Sequence, residues 1–308
     1  MKKLSLIIVG LVLATSLGAK EKGETSAAFL KLGGGARPAG LGECYIAISD
    51  DAAACYWNPA GLSQIETREG VFMLHKPMME VEDLIMSYGA IALPYFGGVI
   101  GISFTYFGYG EMDKIIGADS QTGNPIKDKT WTAYDFALSS SFAKLVKKDI
   151  SMGGTIKLVN GKIDDSSAIA FAIDLGVLCS VKDGLKIGST IRNLGSNMEY
   201  EDEGFGLPLC LKLGVSYDLS KIKNFPPILA VSDLSIPNDN KLYLGLGAEY
   251  KIKDIFSVRG GYKTGPEDIG SGLTFGLGTK YLSYAFDYAY QTFDKLGNSH
   301  RVSLSAKF

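Results

Sequence analysis

From His300 to Phe308 the chain alternates. His300, Val302, Leu304, Ala306 and Phe308 stand on one side of the pattern, and Arg301, Ser303, Ser305 and Lys307 stand on the other. A period of two marks a strand with one apolar and one polar face. The pattern recurs upstream. Leu242, Leu244, Leu246, Ala248, Tyr250 and Ile252 alternate with Lys241, Tyr243, Gly245, Gly247, Glu249 and Lys251. Leu282, Tyr284, Phe286, Tyr288 and Tyr290 alternate with Ser283, Ala285, Asp287, Ala289 and Gln291. With the turn signals between such runs, residues 70–308 predict fourteen strands, at about 70–79, 83–93, 98–108, 131–143, 149–160, 168–181, 184–195, 206–219, 227–235, 241–252, 255–263, 272–280, 281–292 and 299–308. The longest interruption, about 109–130 with Gly117, Gly123, Asn124 and Pro125, predicts an extended extracellular loop. No sequence repeat of the sort a propeller or solenoid needs accompanies the strands.

Strand lengths near ten residues suit a tilted crossing of hydrocarbon. An even number lets an antiparallel sheet close with both ends on one side of a membrane. The apolar rows then face lipid and the polar rows face the lumen. Charges recur at lumen positions: Asp135, Lys157, Asp174, Arg192, Lys212, Glu249, Arg259, Asp287 and Arg301. A Lys or Arg turned to lipid at the midplane would cost roughly 2–4 kcal/mol. These charges are therefore expected to pair inside, as structural pairs rather than substrate contacts. The aromatic rows of 281–290 read as an interfacial girdle rather than a ligand box.

The start of the chain points to export. Lys2 and Lys3 precede an apolar run from Leu4 to Leu13, and Ser16-Leu17-Gly18-Ala19 supplies small residues for cleavage after Gly18 or Ala19. Residues 1–19 read as a secretory signal, too short to span a membrane. No later stretch approaches the roughly 18 apolar residues of a membrane helix. A membrane-embedded mature chain must then be a closed barrel, because only helices and barrels satisfy every backbone polar group in lipid. The fold expected is an all-β, 14-stranded antiparallel transmembrane barrel over residues 70–308 in the bacterial outer membrane, touching its lipids. Phe308 is the terminal aromatic of the closing strand.

Composition agrees. Glycine (38), tyrosine (16) and phenylalanine (15) suit twisted sheet with aromatic girdles. A net charge of −2 gives no argument for nucleic acid. Cys44, Cys55, Cys179 and Cys210 have no metal spacing, and no cofactor is implied. A Cys44–Cys55 bridge is conceivable within one short segment; free thiols are the favoured reading. The two histidines, His75 and His300, stand in no Ser-His or metal pattern, so no catalytic residue is assigned and an enzyme is not expected.

Residues 20–69 precede the first clear strand and form the candidate functional element. They contain Gly33-Gly34-Gly35-Ala36-Arg37-Pro38-Ala39-Gly40-Leu41-Gly42 and, later, Asp50-Asp51-Ala52-Ala53-Ala54-Cys55-Tyr56-Trp57-Asn58-Pro59-Ala60-Gly61-Leu62. Ser49 or Asp50 is expected to cap a slim helix, Asp50–Trp57. Pro59 cannot continue it, and Asn58 before a proline is pushed to an extended conformation. A small-residue segment of this kind fits inside a fourteen-stranded barrel, whose lumen is too wide for its own side chains to fill. Trp57 is expected to anchor it against the wall, and Arg37 to pair with a lumen carboxylate, with Asp135, Asp174 and Asp287 as candidates.

The run from Gly35 to Leu62 resembles the signature of the FadL-like outer-membrane family, in which a Gly-Ala-Arg-x-x-Gly-Leu-Gly segment leads to an Asp-Asp-Ala-x-Ala-x-x-x-Asn-Pro-Ala-Gly-Leu element. Within that family it is most similar to the PorV/PorQ branch. Arg192-Asn193-Leu194-Gly195, Pro208-Leu209-x-Leu211-x-Leu213-Gly214 and His300-Arg301-Val302-Ser303-Leu304 fit the branch as well. The resemblance implies a fourteen-stranded barrel with an N-terminal plug or hatch, and it places Asn58, Pro59 and Ala60 in the hatch motif, alongside Arg37, Asp50, Asp51 and Trp57 of the same segment. It implies, as the first reading, transport of hydrophobic small molecules across the outer membrane and, as the alternative, an accessory role in type IX secretion, handling secretion-system proteins and secreted cargo. An apolar pocket beside the plug would favour transport, and a shaped extracellular loop surface would favour secretion.

Overall fold

The computed structural model describes residues 24–119, 122, 124–201, 203–294 and 297–308; the export signal read on residues 1–19 lies outside them. Sixteen strands follow one another: β1 (Glu69–Lys76), β2 (Ile85–Tyr95), β3 (Gly98–Ala118), β4 (Pro125–Lys147), β5 (Ile150–Ile163), β6 (Ser166–Lys182), β7 (Leu185–Gly195), β8 (Met198–Tyr200), β9 (Glu203–Phe205), β10 (Cys210–Asp218), β11 (Ile228–Pro237), β12 (Tyr243–Ile252), β13 (Phe256–Lys263), β14 (Gly272–Tyr281), β15 (Tyr284–Phe293) and β16 (Gly297–Lys307). Fourteen of them form one closed antiparallel barrel, while β8 and β9 pair only with each other. Closure is made by β1 and β16, with Glu69 opposite Lys307 and Lys76 opposite His300. No sheet edge is left open in the wall, as lipid requires.

The two rows of each strand separate as the alternation predicts. Leu244, Leu246, Tyr250 and Ile252 are exposed on the outer face, whereas Glu249 between them is fully buried. Tyr284 and Phe286 are exposed and Asp287 is buried. All nine predicted lumen charges are buried. No helix among the described residues is long and apolar enough to cross a membrane.

Two expectations are corrected. The described residues of 109–118 and 125–130 are not a loop. β3 and β4 run on past the barrel as a paired ribbon, from Glu111 opposite Thr132 to Ala118 opposite Pro125, with register shifts on the way. Ile115, Ile116, Ile126, Thr130, Trp131 and Thr132 give this stretch the β-branched and aromatic content of strands, so the turn residues mark its tip only. The strand expected at 206–219 begins at Cys210, because Pro208 has no N–H for the ladder. The interval before it holds the β8–β9 hairpin, which no alternation signalled.

Most turns on the rim that holds Glu69 and Lys307 are tight, at 148–149, 183–184, 253–255 and 282–283, whereas the opposite rim carries the longer connections 77–84 and 264–271 and the β8–β9 excursion. Short turns face the periplasm and long loops the exterior in such barrels. The ribbon therefore stands outside the cell, and both ends of the wall lie at the periplasmic rim.

Residues 36–65 run inside this wall. The inward rows carry glycine where their backbone passes. A Cβ at Gly261 would lie 2.4 Å from Gly42 N, one at Gly188 2.4 Å from Ile46 O, and one at Gly153 2.6 Å from Ala60 N. Any side chain there would push the segment off the wall. Leu41, Cys44, Tyr45, Ile46, Trp57 and Leu62 are buried to 1 % or less between segment and strands.

Candidate functional site

Arg37 sits in a short helix, Ala36–Gly40, entered through Gly35 at φ 96°. That backbone angle suits glycine alone, and it aims the Ala36 N–H at Ser303 Oγ, 2.7 Å away. Arg37 then reaches β12: Nε donates to Glu249 Oε2 at 3.0 Å and Nη2 to Oε1 at 3.2 Å. Its Nη1 donates to Asp50 Oδ1 at 2.6 Å and to Tyr45 Oη at 2.8 Å. Tyr45 in turn donates to Asp51 Oδ2 at 2.6 Å. On the wall side, Arg259 joins Glu249 to Asp287, with both contacts at 2.6 Å. One continuous network thus runs from Asp51 through Tyr45, Arg37, Glu249 and Arg259 to Asp287.

The three carboxylates considered for Arg37 are all engaged elsewhere. Asp135 accepts from Tyr109 Oη at 2.8 Å, Asp174 faces Lys157 Nζ at 2.6 Å, and Asp287 is taken by Arg259. Glu249 is the partner because the Ala36–Gly40 helix lies against β13, β14 and β15, next to β12. Nothing in the alternation signals that placement.

The acidic pair is split electrostatically. Burial pushes the Asp51 carboxyl up to about 7; the Asp50 charge adds to this and Arg37 opposes it. Burial also acts on Asp50, but the directly bonded Arg37 guanidinium outweighs it and holds that carboxyl below the usual range. Above them, Glu43 accepts from Lys263 Nζ at 2.6 Å and Arg301 Nη2 at 3.1 Å. Burial alone would raise Glu43, yet these two cations hold it down at about 2.

Two cavities, of about 500 and 450 Å³, open on the periplasmic side of the network and share Arg37, Asp50, Glu249 and Lys251. Both are lined by charged residues together with apolar ones such as Ile255, Tyr284 and Leu229.

The expected Asp50–Trp57 helix is shorter than predicted and spans Ala54–Trp57. Asp50 is drawn away to Arg37, and Ser49 donates its hydroxyl to Tyr45 O at 2.7 Å instead of capping. Only Asp51 Oδ1 accepts a backbone N–H, that of Ala53, at 3.0 Å. The turns at 50–53 therefore stay outside the helix. Trp57 ends it fully buried. Its Nε1 donates to Gly34 O at 2.6 Å, and its ring meets Tyr56 edge-on at 5.1 Å.

Asn58 is extended, at φ −151°, and separates this helix from a 3₁₀ helix over Pro59–Gln64. Its side chain does three things at once. Nδ2 donates to Ile46 O at 2.8 Å and to Val177 O of β6 at 3.2 Å, and Oδ1 accepts the Ala60 N–H at 3.1 Å. The site residues divide accordingly. Arg37, Asp50 and Asp51 cluster at the periplasmic vestibule; Asn58, Pro59 and Ala60 lock against β5 and β6; Trp57 lies deeper, near the outer lumen. Phe308 is apart from both, exposed at the rim, with its N–H donating to Arg68 O at 2.9 Å.

Sequence reasoning missed Tyr45 as the connecting hydroxyl and Asp233 as the acceptor of the Tyr45 and Ile46 N–H groups, at 2.8 and 3.1 Å. Asp233 stands on an alternating strand, which was the available signal. All four cysteines are free thiols. His75 Nε2 lies 2.9 Å from Ser299 Oγ, and His300 Nδ1 lies 2.8 Å from Tyr288 Oη. Among the described residues there is no group of ligands suited to a metal ion.

A family model described as type IX secretion system protein PorV matches residues 18–240. The chain belongs to the PorV family. No curated protein sequence matches it. Among solved structures this PorV-family barrel is similar to the toluene transporter TodX of Pseudomonas putida, with 12 % identity and a TM-score of 0.68 over 90 % of this chain and 99 % of that one. The toluene transporter TbuX of Ralstonia pickettii gives 14 % identity and a TM-score of 0.66, over 90 % and 98 %. A FadL homologue of Pseudomonas aeruginosa gives 13 % and 0.59, over 89 % and 97 %. The shared fold is the FadL-like barrel, and the protein is a bacterial outer-membrane barrel of that type.

Proposed function

We infer that this barrel is plugged by its N-terminal segment, described from residue 24 to 69, and serves protein secretion, docking secretion-system proteins or secreted cargo, with no enzymatic step of its own. The observation that carries the reading is the charged vestibule. A route for a hydrophobic compound needs an apolar pocket beside the plug, whereas the space beside this segment is lined by Arg37, Asp50, Asp51, Glu249 and Lys251. The β3–β4 ribbon adds a shaped surface outside the membrane. In this reading Arg37, Asp50 and Asp51 latch the plug to β12, Asn58, Pro59 and Ala60 seat it on β5 and β6, and Trp57 anchors its centre. The second reading is passage of hydrophobic compounds. It draws on the fold shared with TodX and TbuX, both described as toluene transporters.

The two readings separate in one experiment. Cells lacking the gene are complemented with the wild type or with a variant in which residues 109–130 are replaced by a two-residue turn. Export of a type IX cargo and uptake of labelled toluene are then measured. The secretion reading expects the gene deletion and the ribbon variant to lose cargo export, with toluene uptake unchanged throughout. Normal export in the deletion strain together with reduced toluene uptake would establish the transport reading instead.

A further inference from the structure

The middle and outer lumen hold several buried charges of both signs, Asp135 and Asp239 among the carboxylates. Lys157, Arg192, Lys212, Lys263 and Arg301 are all buried there, alongside Glu43, Asp174 and Asp233. These last three carboxylates are already committed. Glu43 serves Lys263 and Arg301. Asp174 serves Lys157 and the Asn193 N–H. Asp233 accepts the two backbone N–H groups of Tyr45 and Ile46. Arg192 and Lys212 are the two of the five cations that make no ion pair among the described residues.

Both are held over aromatic faces instead. The Arg192 guanidinium lies 4.1 Å from the Tyr56 ring centre and 5.9 Å from that of Trp57. The Lys212 ammonium lies 5.1 Å from Trp57 and 6.0 Å from Tyr243. Ring faces offset part of a cation's desolvation but bring no negative charge. Nε and Nη2 of Arg192 are buried without an acceptor, and the residue is only 4 % exposed. Unsatisfied donors on a buried charge are costly. Arg192 and Lys212 line one cavity of about 30 Å³, with Asn193, Tyr243, Lys31 and Asp239 beside them. Asp239 commits its Oδ2 to Lys31 and Thr25, and its Oδ1 is buried without a hydrogen-bond partner. A cavity of this volume holds one water-sized species.

We propose that this cavity binds one small monovalent anion of halide size between the Arg192 guanidinium and the Lys212 ammonium. The ion ties the N-terminal segment, through Tyr56 and Trp57, to wall strands β7 and β10. The site is neither the periplasmic vestibule nor the Asn58 seat.

The test uses the purified full-length barrel in neutral detergent. Thermal unfolding is followed in sodium chloride, sodium bromide and sodium gluconate at one ionic strength, so that general screening is constant. An ion bound by the folded state alone raises Tm as it saturates the site. The expected result is a saturable Tm rise with chloride and bromide that gluconate does not give and that Lys212→Met abolishes. Crystals soaked in sodium bromide should show an anomalous peak between Arg192 and Lys212. Equal Tm in chloride and gluconate, or no bromide at that position, overturns the proposal. If Lys212→Met does not fold, the bromide peak in the wild type decides the question.

Discussion

Arg37 and Glu249 form a two-pronged ion pair across the boundary between the N-terminal segment and the wall, at 3.0 and 3.2 Å. Glu249 also holds Arg259 at 2.6 Å, so its single carboxylate is shared by two guanidinium groups, which Asp50 and Asp287 contact as well. Removing one partner of a buried pair costs about 3–5 kcal/mol because the other charge is left uncompensated. Glu249→Gln leaves Arg37 on Asp50 and Arg259 on Asp287, so its cost is expected at the low end of that range. Arg37→Met leaves Glu249 its second cation and strands only the part-exposed Asp50, and is expected to cost less. Denaturant unfolding of both variants in detergent measures the order. Equal costs would show that the Arg259 contact does not support Glu249.

The Asp51 carboxyl, pushed to about 7 in the folded chain, makes stability depend on pH with a definite sign. Between its ordinary value and about 7 the folded state keeps a proton that the unfolded state has lost. Stability from this group is full at the acid end and falls as pH rises through that window. Glu43, held at about 2, acts the opposite way at lower pH, losing its contribution as pH falls through that value. Asp51→Asn is expected to flatten the stability curve between about pH 4 and pH 7 and to leave the acid limb set by Glu43 intact. An unchanged slope in that window would show that Asp51 ionises normally.

The strands were legible because the barrel's physics repeats at every second residue. Lipid selects one row and the wet lumen the other, so Leu244, Glu249 and Leu246 announce their faces without any knowledge of their neighbours. Partner choice was not legible. Which carboxylate meets Arg37 depends on where the Ala36–Gly40 helix lands among β13, β14 and β15, and closure of a barrel brings together residues as distant as Arg37 and Glu249. The ribbon at 109–130 was misread for a local reason. Scattered glycines suggested a loop, although the β-branched residues between them pair for most of its length.

Gly153 and Gly154 are neighbours on β5 with opposite surroundings. A Cβ at Gly153 would lie 2.6 Å from Ala60 N, whereas one at Gly154 finds its nearest atom at 3.6 Å. Overpacking of this kind costs about 1–3 kcal/mol. Gly153→Ala should lower stability by that amount and expose residues 59–64 to limited proteolysis, while Gly154→Ala should do neither. Matching behaviour of the two variants would show that the segment does not rest on β5.

Phe308 follows the last strand at the periplasmic rim, where its N–H donates to Arg68 O at 2.9 Å and its ring is exposed. Deleting it, or replacing it with Asp, removes an interfacial aromatic next to the closing strand. Either change is expected to lower the fraction of heat-modifiable, folded barrel in outer membranes. Assembly at the wild-type level would remove Phe308 from any role in closure.

Asn58 and Pro59 carry the sharpest test of the plug. The Asn58 amide bridges Ile46 O and Val177 O while its carbonyl holds Ala60 N–H. Alanine would strand buried backbone groups that cost about 1–3 kcal/mol each. Pro59 adds a fixed φ at the start of the 3₁₀ helix. The Asn58→Ala, Pro59→Ala double variant should therefore loosen the seat on β5 and β6 without touching the hydrogen bonds that close the wall. If the plug gates function, the variant barrel stays folded while cargo export or uptake of a labelled hydrophobic compound changes. A folded variant with both activities unchanged removes the gate and leaves a static stopper. Protease cleavage throughout residues 33–62 of the intact wild-type barrel would remove both, because a segment seated within the wall is shielded from cleavage.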